Sequence, residues 1–396
     1  MSVLRGNLAM FKNQKKNNRD ILIVTDNGLE TVGGEQESTK IIINGIKNQF
    51  KLGVIQPGVV KNKAENVTYY DMTKKTRIKH LIKNPFAFLK YIWKVREIIK
   101  REKPRIIHTQ AQVSFFIVAL LKKLRLVPNN FTLIHTERGL YIVYNRFFKR
   151  LFYSFMKELD TLVTTTNYNM KHWKKALESK GYDLNYKVIE NTAGNLFEKN
   201  YTVKDDLKKD ESNLVIGFAG RYSEQKNWPL AVEIVKKLNK ELGEKIHVKM
   251  AVGCLDDKSE VATNQMFKKL SDLLGTRFDG KINVSLEMMD KFYQSIDIYI
   301  LTSLPKSESF GRTLIEAMYR QTVVLTTDAG GPEEIVRSKA SVCKTSDEFI
   351  KKILLFYFEP TLIEKEKDLN FKEVRNRYSL ENNIKKHMAL YSDLLF

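Results

Sequence analysis

Short apolar runs separated by polar, helix-spaced stretches recur along this chain. Arg19-Asp20 leads into Ile21-Leu22-Ile23-Val24-Thr25, a run of strand length. Asp26-Asn27-Gly28 and Val32-Gly33-Gly34-Glu35 follow, and a helical pattern beginning near Ser38 carries Ile41, Ile42, Ile43 and Ile46. Strand, glycine-rich loop and helix in that order open a doubly wound α/β domain. Further strand-like runs stand at Arg105–His108, Phe131–His135 and Thr161–Thr164, with helical stretches between them, as alternating β and α units require. A second series starts at Leu214–Gly220 and includes the β-rich run Ile296–Thr302. The charged stretch Lys199–Asn213 between the two series reads as a linker. Tyr378-Ser379-Leu380-Glu381 opens an amphipathic pattern that reaches Leu394, which predicts a capped terminal helix.

The densest chemistry lies in the second series, at Ser307-Glu308-Ser309-Phe310-Gly311-Arg312-Thr313-Leu314-Ile315-Glu316. Strand, loop and helix are again expected, with Glu308 in the loop and Glu316 about two turns along the helix. The unbonded amides of Ser309, Phe310, Gly311 and Arg312 would open that helix and form an anion site, with Thr313 as its neighbour. One carboxylate beside a reacting group, an anion cradle and a second carboxylate suit a ligand with hydroxyls at both ends, such as a nucleoside diphosphate sugar. Gly220-Arg221-Tyr222-Ser223-Glu224-Gln225-Lys226-Asn227 places two cations just beyond a strand. Departure of a nucleoside diphosphate builds negative charge on the β-phosphate. A guanidinium fork and a compact ammonium can both meet that charge.

Glu-x-Phe-Gly-x-x-x-x-Glu, with Gly-Gly-x-Glu-x-Ile-Val at Gly330–Val336, resembles the donor-site signature of family 4 glycosyltransferases, the retaining enzymes of GT-B fold. The Gly220–Asn227 loop resembles the phosphate loop of the same family. The resemblance implies two Rossmann-like doubly wound domains facing a central cleft. Residues 1–200 would form the N-terminal acceptor domain and residues 201–377 the nucleotide-sugar donor domain. The helix of residues 378–396 would pack back on the first domain. It also implies roles. Glu308 would contact donor-sugar hydroxyls near the anomeric centre, Glu316 the ribose, and Arg221 and Lys226 the diphosphate. Gly33 and Gly34 would let the first-domain loop approach the diphosphate. His135 matches a position near the donor sugar. The family needs no cofactor or metal, and no Asp-x-Asp motif is present. Two departures stand out: Tyr319-Arg320-Gln321 after Glu316-Ala317-Met318, and Arg337-Ser338-Lys339 where the family has a glycine-rich tail.

Charge narrows the partners. The net charge is +21, but residues 1–200 hold 36 Lys and Arg against 16 Asp and Glu, so that half carries +20 of it. An anionic partner met by the first half is expected. Lys83–Arg96 and Tyr141–Tyr153 interleave cations with aromatics, a pattern that fits an interfacial helix on anionic lipid. The longest lipid-like run, around Phe115–Leu121, is too short to span a bilayer, and Met1–Asp20 lacks the apolar core of a signal peptide. Two cysteines, Cys254 and Cys343, make no disulfide framework. The expectation is a cytoplasmic enzyme, peripheral at the inner face of the cell membrane. It would transfer a hexosyl or N-acetylhexosaminyl unit, from a UDP-sugar by preference, to an envelope polysaccharide, lipid-linked saccharide or polyanionic glycopolymer. The competing readings are a non-catalytic GT-B relative and a basic nucleic-acid-binding protein. The second lacks any helix-turn-helix, zinc-finger or RNA-binding aromatic motif, so no specific nucleic-acid partner is expected.

Overall fold

The computed structural model describes residues 19–31, 33–199, 213–336 and 338–395. Two parallel sheets carry the architecture. The first runs in the order β3-β2-β1-β4-β5-β6-β7. Its strands are β1 (Ile21–Val24), β2 (Leu52–Gln56), β3 (Val67–Asp71), β4 (Ile106–Thr109), β5 (Thr132–Glu137), β6 (Thr161–Thr164) and β7 (Asn185–Val188). The second runs β10-β9-β8-β11-β12, with β8 (Leu214–Arg221), β9 (Ile246–Gly253), β10 (Phe278–Ile282), β11 (Ile298–Leu301) and β12 (Val323–Thr326). The fold is α/β, of GT-B type.

The central strands are apolar on both faces because helices cover both sides of a parallel sheet. Every residue of β1, β4, β11 and β12 is buried. Strand order reverses between β1 and β4, and again between β8 and β11. In open α/β sheets ligands bind outside the carboxyl ends of strands at such reversals. The loops after β1 and β11 hold the glycine pair and Glu308.

The first helix spans Gly34–Ile46, so it begins ahead of Ser38, where the apolar periodicity starts. Its opening turn is polar and acidic, with Glu35 and Glu37, which suits the positive end of the helix dipole. The terminal helix Leu380–Leu395 returns to the first sheet, and Leu390, Tyr391 and Leu395 join the core cluster of Ile21, Ile23, Ile42 and Ile134. Gly45 permits that docking: a β-carbon there would lie 2.5 Å from Ile384 Cγ1.

The segment expected as a linker, 199–213, falls almost wholly outside the described residues. The passage to the second sheet is already made before it, since Phe197 is fully buried among Tyr293, Ala317 and Tyr319. Arg320 fixes this stretch. It pairs with Asp290 and donates to the carbonyls of Phe197 (2.7 Å) and Leu196 (3.2 Å). The first departure from the family pattern thus serves packing.

Candidate active site

β8 ends at Arg221, and a tight 3₁₀ turn, Glu224–Lys226, leads through Asn227 at φ 49° into the helix Trp228–Leu242. This turn swings Lys226 back so that its stem lies against Gly220. Lys226 Nζ then donates to Glu308 Oε2 at 2.8 Å. The same oxygen accepts from Ser303 Oγ at 2.9 Å and Gln225 Nε2 at 3.2 Å. Glu308 is held from behind by the loop after β12: its amide donates to the Ala329 carbonyl, and its carbonyl accepts from Gly331, both at 2.9 Å. Three donors on one carboxylate oxygen fix its direction and leave Oε1 outside this set of bonds.

Gly311, at φ 94°, makes the turn into the helix Arg312–Tyr319. The amides from Ser309 to Thr313 have no hydrogen-bond acceptor among the described residues, so the helix opens on unused donors. Phe310 contributes only its backbone, because its ring is buried edge-on to Tyr378. Ser309 touches the other half through its carbonyl, which accepts from Thr166 Oγ1 at 2.9 Å. Glu316 lies one helical step below Arg312 and pairs with it at 3.3 Å. Its other oxygen accepts from Tyr293 OH at 3.1 Å. Burial pushes the Glu316 carboxyl above its ordinary range, and the Arg312 guanidinium and Tyr293 hydroxyl pull it back.

Arg312 also crosses to the first half, donating to the carbonyls of Ala193 (3.4 Å) and Gly34 (3.5 Å). The glycine loop therefore abuts the second half through Gly34. A cavity of about 420 Å³ opens beside Arg312, between Glu37, Lys40 and Asn44 of the first half and Leu286 of the second.

Two expected members are not gathered in. Arg221 is exposed, and its stem lies against Gly253 of β9, on the side of β8 away from β11. It is outside the Lys226–Glu308 contacts. His135 is fully buried and turned into the first-half core. It stacks on Phe115 at 4.6 Å, and its ring nitrogens meet Thr109 Oγ1 (3.0 Å) and Glu137 Oε2 (3.3 Å). With both ring nitrogens engaged and the ring shut from solvent, His135 stands apart from the Lys226–Glu308 contacts. Sequence reasoning also missed Ser303, Gln225 and Tyr293. Gln225 sits inside the phosphate-loop motif and gave a signal there, whereas Ser303 and Tyr293 gave none.

Two family models divide the chain between them. Glycosyltransferase Family 4 matches residues 33–189, and Glycosyl transferases group 1 matches residues 200–373. The chain belongs to the family 4-type glycosyltransferases of GT-B fold. A glycosyltransferase from Rickettsia africae shares the fold at a TM-score of 0.73 and 22% identity, over 96% of this chain and 99% of that one. Anabaena HepE, in complex with UDP and glucose, superposes at a TM-score of 0.72 and 14% identity, over 94% of this chain and 99% of its own. Among curated proteins, the Xenopus laevis GDP-Man:Man(3)GlcNAc(2)-PP-Dol alpha-1,2-mannosyltransferase is 28% identical over 130 residues. That match covers 32% of this chain and spans 26% of the relative's length.

Proposed function

We propose that the protein is a retaining, metal-independent glycosyltransferase that moves a hexosyl or N-acetylhexosaminyl unit from a nucleoside diphosphate sugar to a lipid-linked saccharide or envelope glycan. The observation that carries this reading is Glu308 held by Lys226, Gln225 and Ser303 beside a helix that opens on unused amides. The ammonium and the amides supply positive charge for the leaving diphosphate, the role a divalent cation plays in metal-dependent transfer. Glu308 faces the sugar, and Glu316, deeper along the same helix, takes the ribose hydroxyls. Arg221, with its stem against β9, lies outside this set and carries no part of the reading.

The two kinds of relative name different bases: UDP for the Anabaena protein and GDP-mannose for the Xenopus enzyme. UDP remains the first choice here and GDP the second. The Xenopus enzyme's name contains a lipid-linked acceptor, and the surface of the first half favours a similar partner. On the helix Pro85–Glu102, Phe86, Leu89 and Trp93 are exposed by 85, 61 and 58% along one face, with Lys90 and Lys94 among them. Phe147 is exposed by 73% on the basic helix Arg146–Phe155. An apolar stripe flanked by cations fits peripheral attachment to anionic lipid. Among the described residues no helix is long and apolar enough to cross a membrane.

The test is a thermal-shift panel of UDP-, GDP-, ADP- and dTDP-sugars. One of them should raise the melting point of the native protein and fail to do so for Glu316→Ala, and transfer should survive EDTA. A panel without any shift would sink the donor reading.

A further inference from the structure

The helix Asn167–Glu178, which follows β6 in the first half, starts against the loops that carry Glu308. Thr166 caps it by accepting from the Asn169 amide at 3.2 Å, and the same hydroxyl donates to the Ser309 carbonyl at 2.9 Å. The Asn167 amide belongs to the helix's first turn, where no helical acceptor exists, and it donates across to Glu334 Oε2 at 2.9 Å. A carboxylate there also suits the positive end of the helix dipole. Tyr168 completes the contact by resting on Gly330: a β-carbon on that glycine would stand 2.6 Å from Tyr168 Cε1. His172, one turn along, packs edge-on against the Tyr168 ring with centroids 4.9 Å apart and so braces it.

The bonds beside Gly330 give this contact its meaning. Both backbone polar groups of Glu308 bond residues that flank Gly330. Its amide donates to the Ala329 carbonyl, and its carbonyl accepts from the Gly331 amide, each at 2.9 Å. Glu308 and Gly330 thus form a one-residue parallel bridge. Gly330 sits at φ 101°, where glycine is favoured, and Gly331 packs on Ser309 too closely to carry a side chain. The glycine pair is therefore pinched between Tyr168 of the first half and Ser309 of the second. Glu334 lies on the short helix Pro332–Ile335 directly after Gly331, so the Asn167 bond steadies the same loop from its other end. Lys226, Gln225 and Ser303 aim the carboxylate, whereas the bridge to Gly330 sets where the residue sits. A displaced Gly330 would carry both backbone bonds with it and draw the carboxylate off its three donors.

We propose that Tyr168 is a positioning residue for Glu308, acting through Gly330, and that the first half thereby makes the placement of this carboxylate conditional on contact between the halves. The proposal rests on the reading of Glu308 as the residue that faces the donor sugar. A donor held by the second half alone meets a Glu308 whose bridge is unsupported. Seating Tyr168 on Gly330 and Asn167 on Glu334 supports it.

Titration calorimetry on the full chain tests this with UDP against UDP-glucose and UDP-N-acetylglucosamine, and with GDP against GDP-mannose. The pair to follow is the one in which Glu308→Ala weakens the nucleotide sugar and spares the bare nucleotide. Tyr168→Ala should reproduce that pattern, weakening the nucleotide sugar about tenfold, as for one lost hydrogen bond to a charged group, with the bare nucleotide unchanged. Tyr168→Phe keeps the ring and should bind as the native protein does. Asn167→Pro should weaken the sugar nucleotide in the same direction. It removes only the donor to Glu334, because proline suits a first helical position and Thr166, at φ −144° and ψ 153°, already has the backbone that precedes one. It decides the matter if Tyr168→Ala does not fold. Native affinity for the nucleotide sugar in both Tyr168→Ala and Asn167→Pro overturns the positioning role. So does an equal loss for the bare nucleotide, or a loss in Tyr168→Phe as large as in Tyr168→Ala. Failure of the donor reading looks different: no pair then separates in Glu308→Ala, and the positioning role falls with it.

Discussion

Lys226 Nζ and Glu308 Oε2 are 2.8 Å apart, so the cation proposed for the leaving phosphate rests on the carboxylate proposed for the sugar. Each holds the other in place before any ligand arrives, which is a form of preorganisation. Removing the cation should therefore cost rate in two ways, through lost charge and through a loosened Glu308. Lys226→Ala is expected to lower kcat by about 10²–10³, the range for deleting one fixed group that stabilises transition-state charge. Initial rates at saturating donor check this, and a near-native kcat would remove Lys226 from the phosphate. Glu308→Gln keeps the shape but weakens the ion pair, and its rate should also fall.

Arg320 and Asp290 form a buried pair that also grips the carbonyls of Leu196 and Phe197. Arg320→Ala leaves a buried carboxylate without its cation. The expected loss is about 3–5 kcal/mol of unfolding free energy. Urea titration measures it, and a loss comparable to an ordinary surface substitution would contradict the structural role.

Acid should loosen the terminal helix. Burial pushes His387 down to about 4 and holds His108 well below its ordinary range, with neighbouring His and Arg groups adding to the effect. His108 bonds Tyr391 of that helix at 2.6 Å and Thr136 at 2.7 Å. Between about pH 6.5 and 4 the unfolded chain binds a proton at position 387 that the folded chain refuses, so stability falls as pH falls. His387→Gln removes that proton. Its stability relative to the native protein should rise by about 3 kcal/mol from pH 7 to pH 4. Asp26, Glu35 and Glu316 are all raised by burial and act in the opposite direction, but they are common to both proteins and cancel in the difference.

The exposed stripe on Pro85–Glu102 predicts binding to vesicles of mixed phosphatidylcholine and phosphatidylserine. Trp93→Glu and Phe86→Glu should each weaken partition by about tenfold or more, since a large apolar group leaves the interface and a like charge enters it. Flotation at two salt concentrations is the measurement. Binding unchanged in both variants would move the contact to another face.

Legibility followed burial and sequence distance. β1, β4, β5 and β8 stand out as apolar runs because both faces are covered. β3 and β10 occupy sheet edges, and their half-exposed Val-Thr-Tyr-Tyr-Asp and Phe-Asp-Gly-Lys-Ile give no such signal. Glu308, Glu316 and Lys226 are visible because their motifs are local. Tyr168 follows β6 and Gly330 follows β12, and no spacing announces their contact. His135 shows the converse. It occupies the right strand end, but its ring packs on Phe115, and only the tertiary packing decides that.

The terminal helix has one more consequence. The chain passes between the halves near Gly194 and again near Ser379, and Glu198 ties the two passages together by accepting from the Leu380 amide at 2.7 and 2.9 Å. A door hung on two coupled pins can swing, but it cannot twist. A widening of the cleft about these passages would have to break the bond from Thr166 Oγ1 to the Ser309 carbonyl.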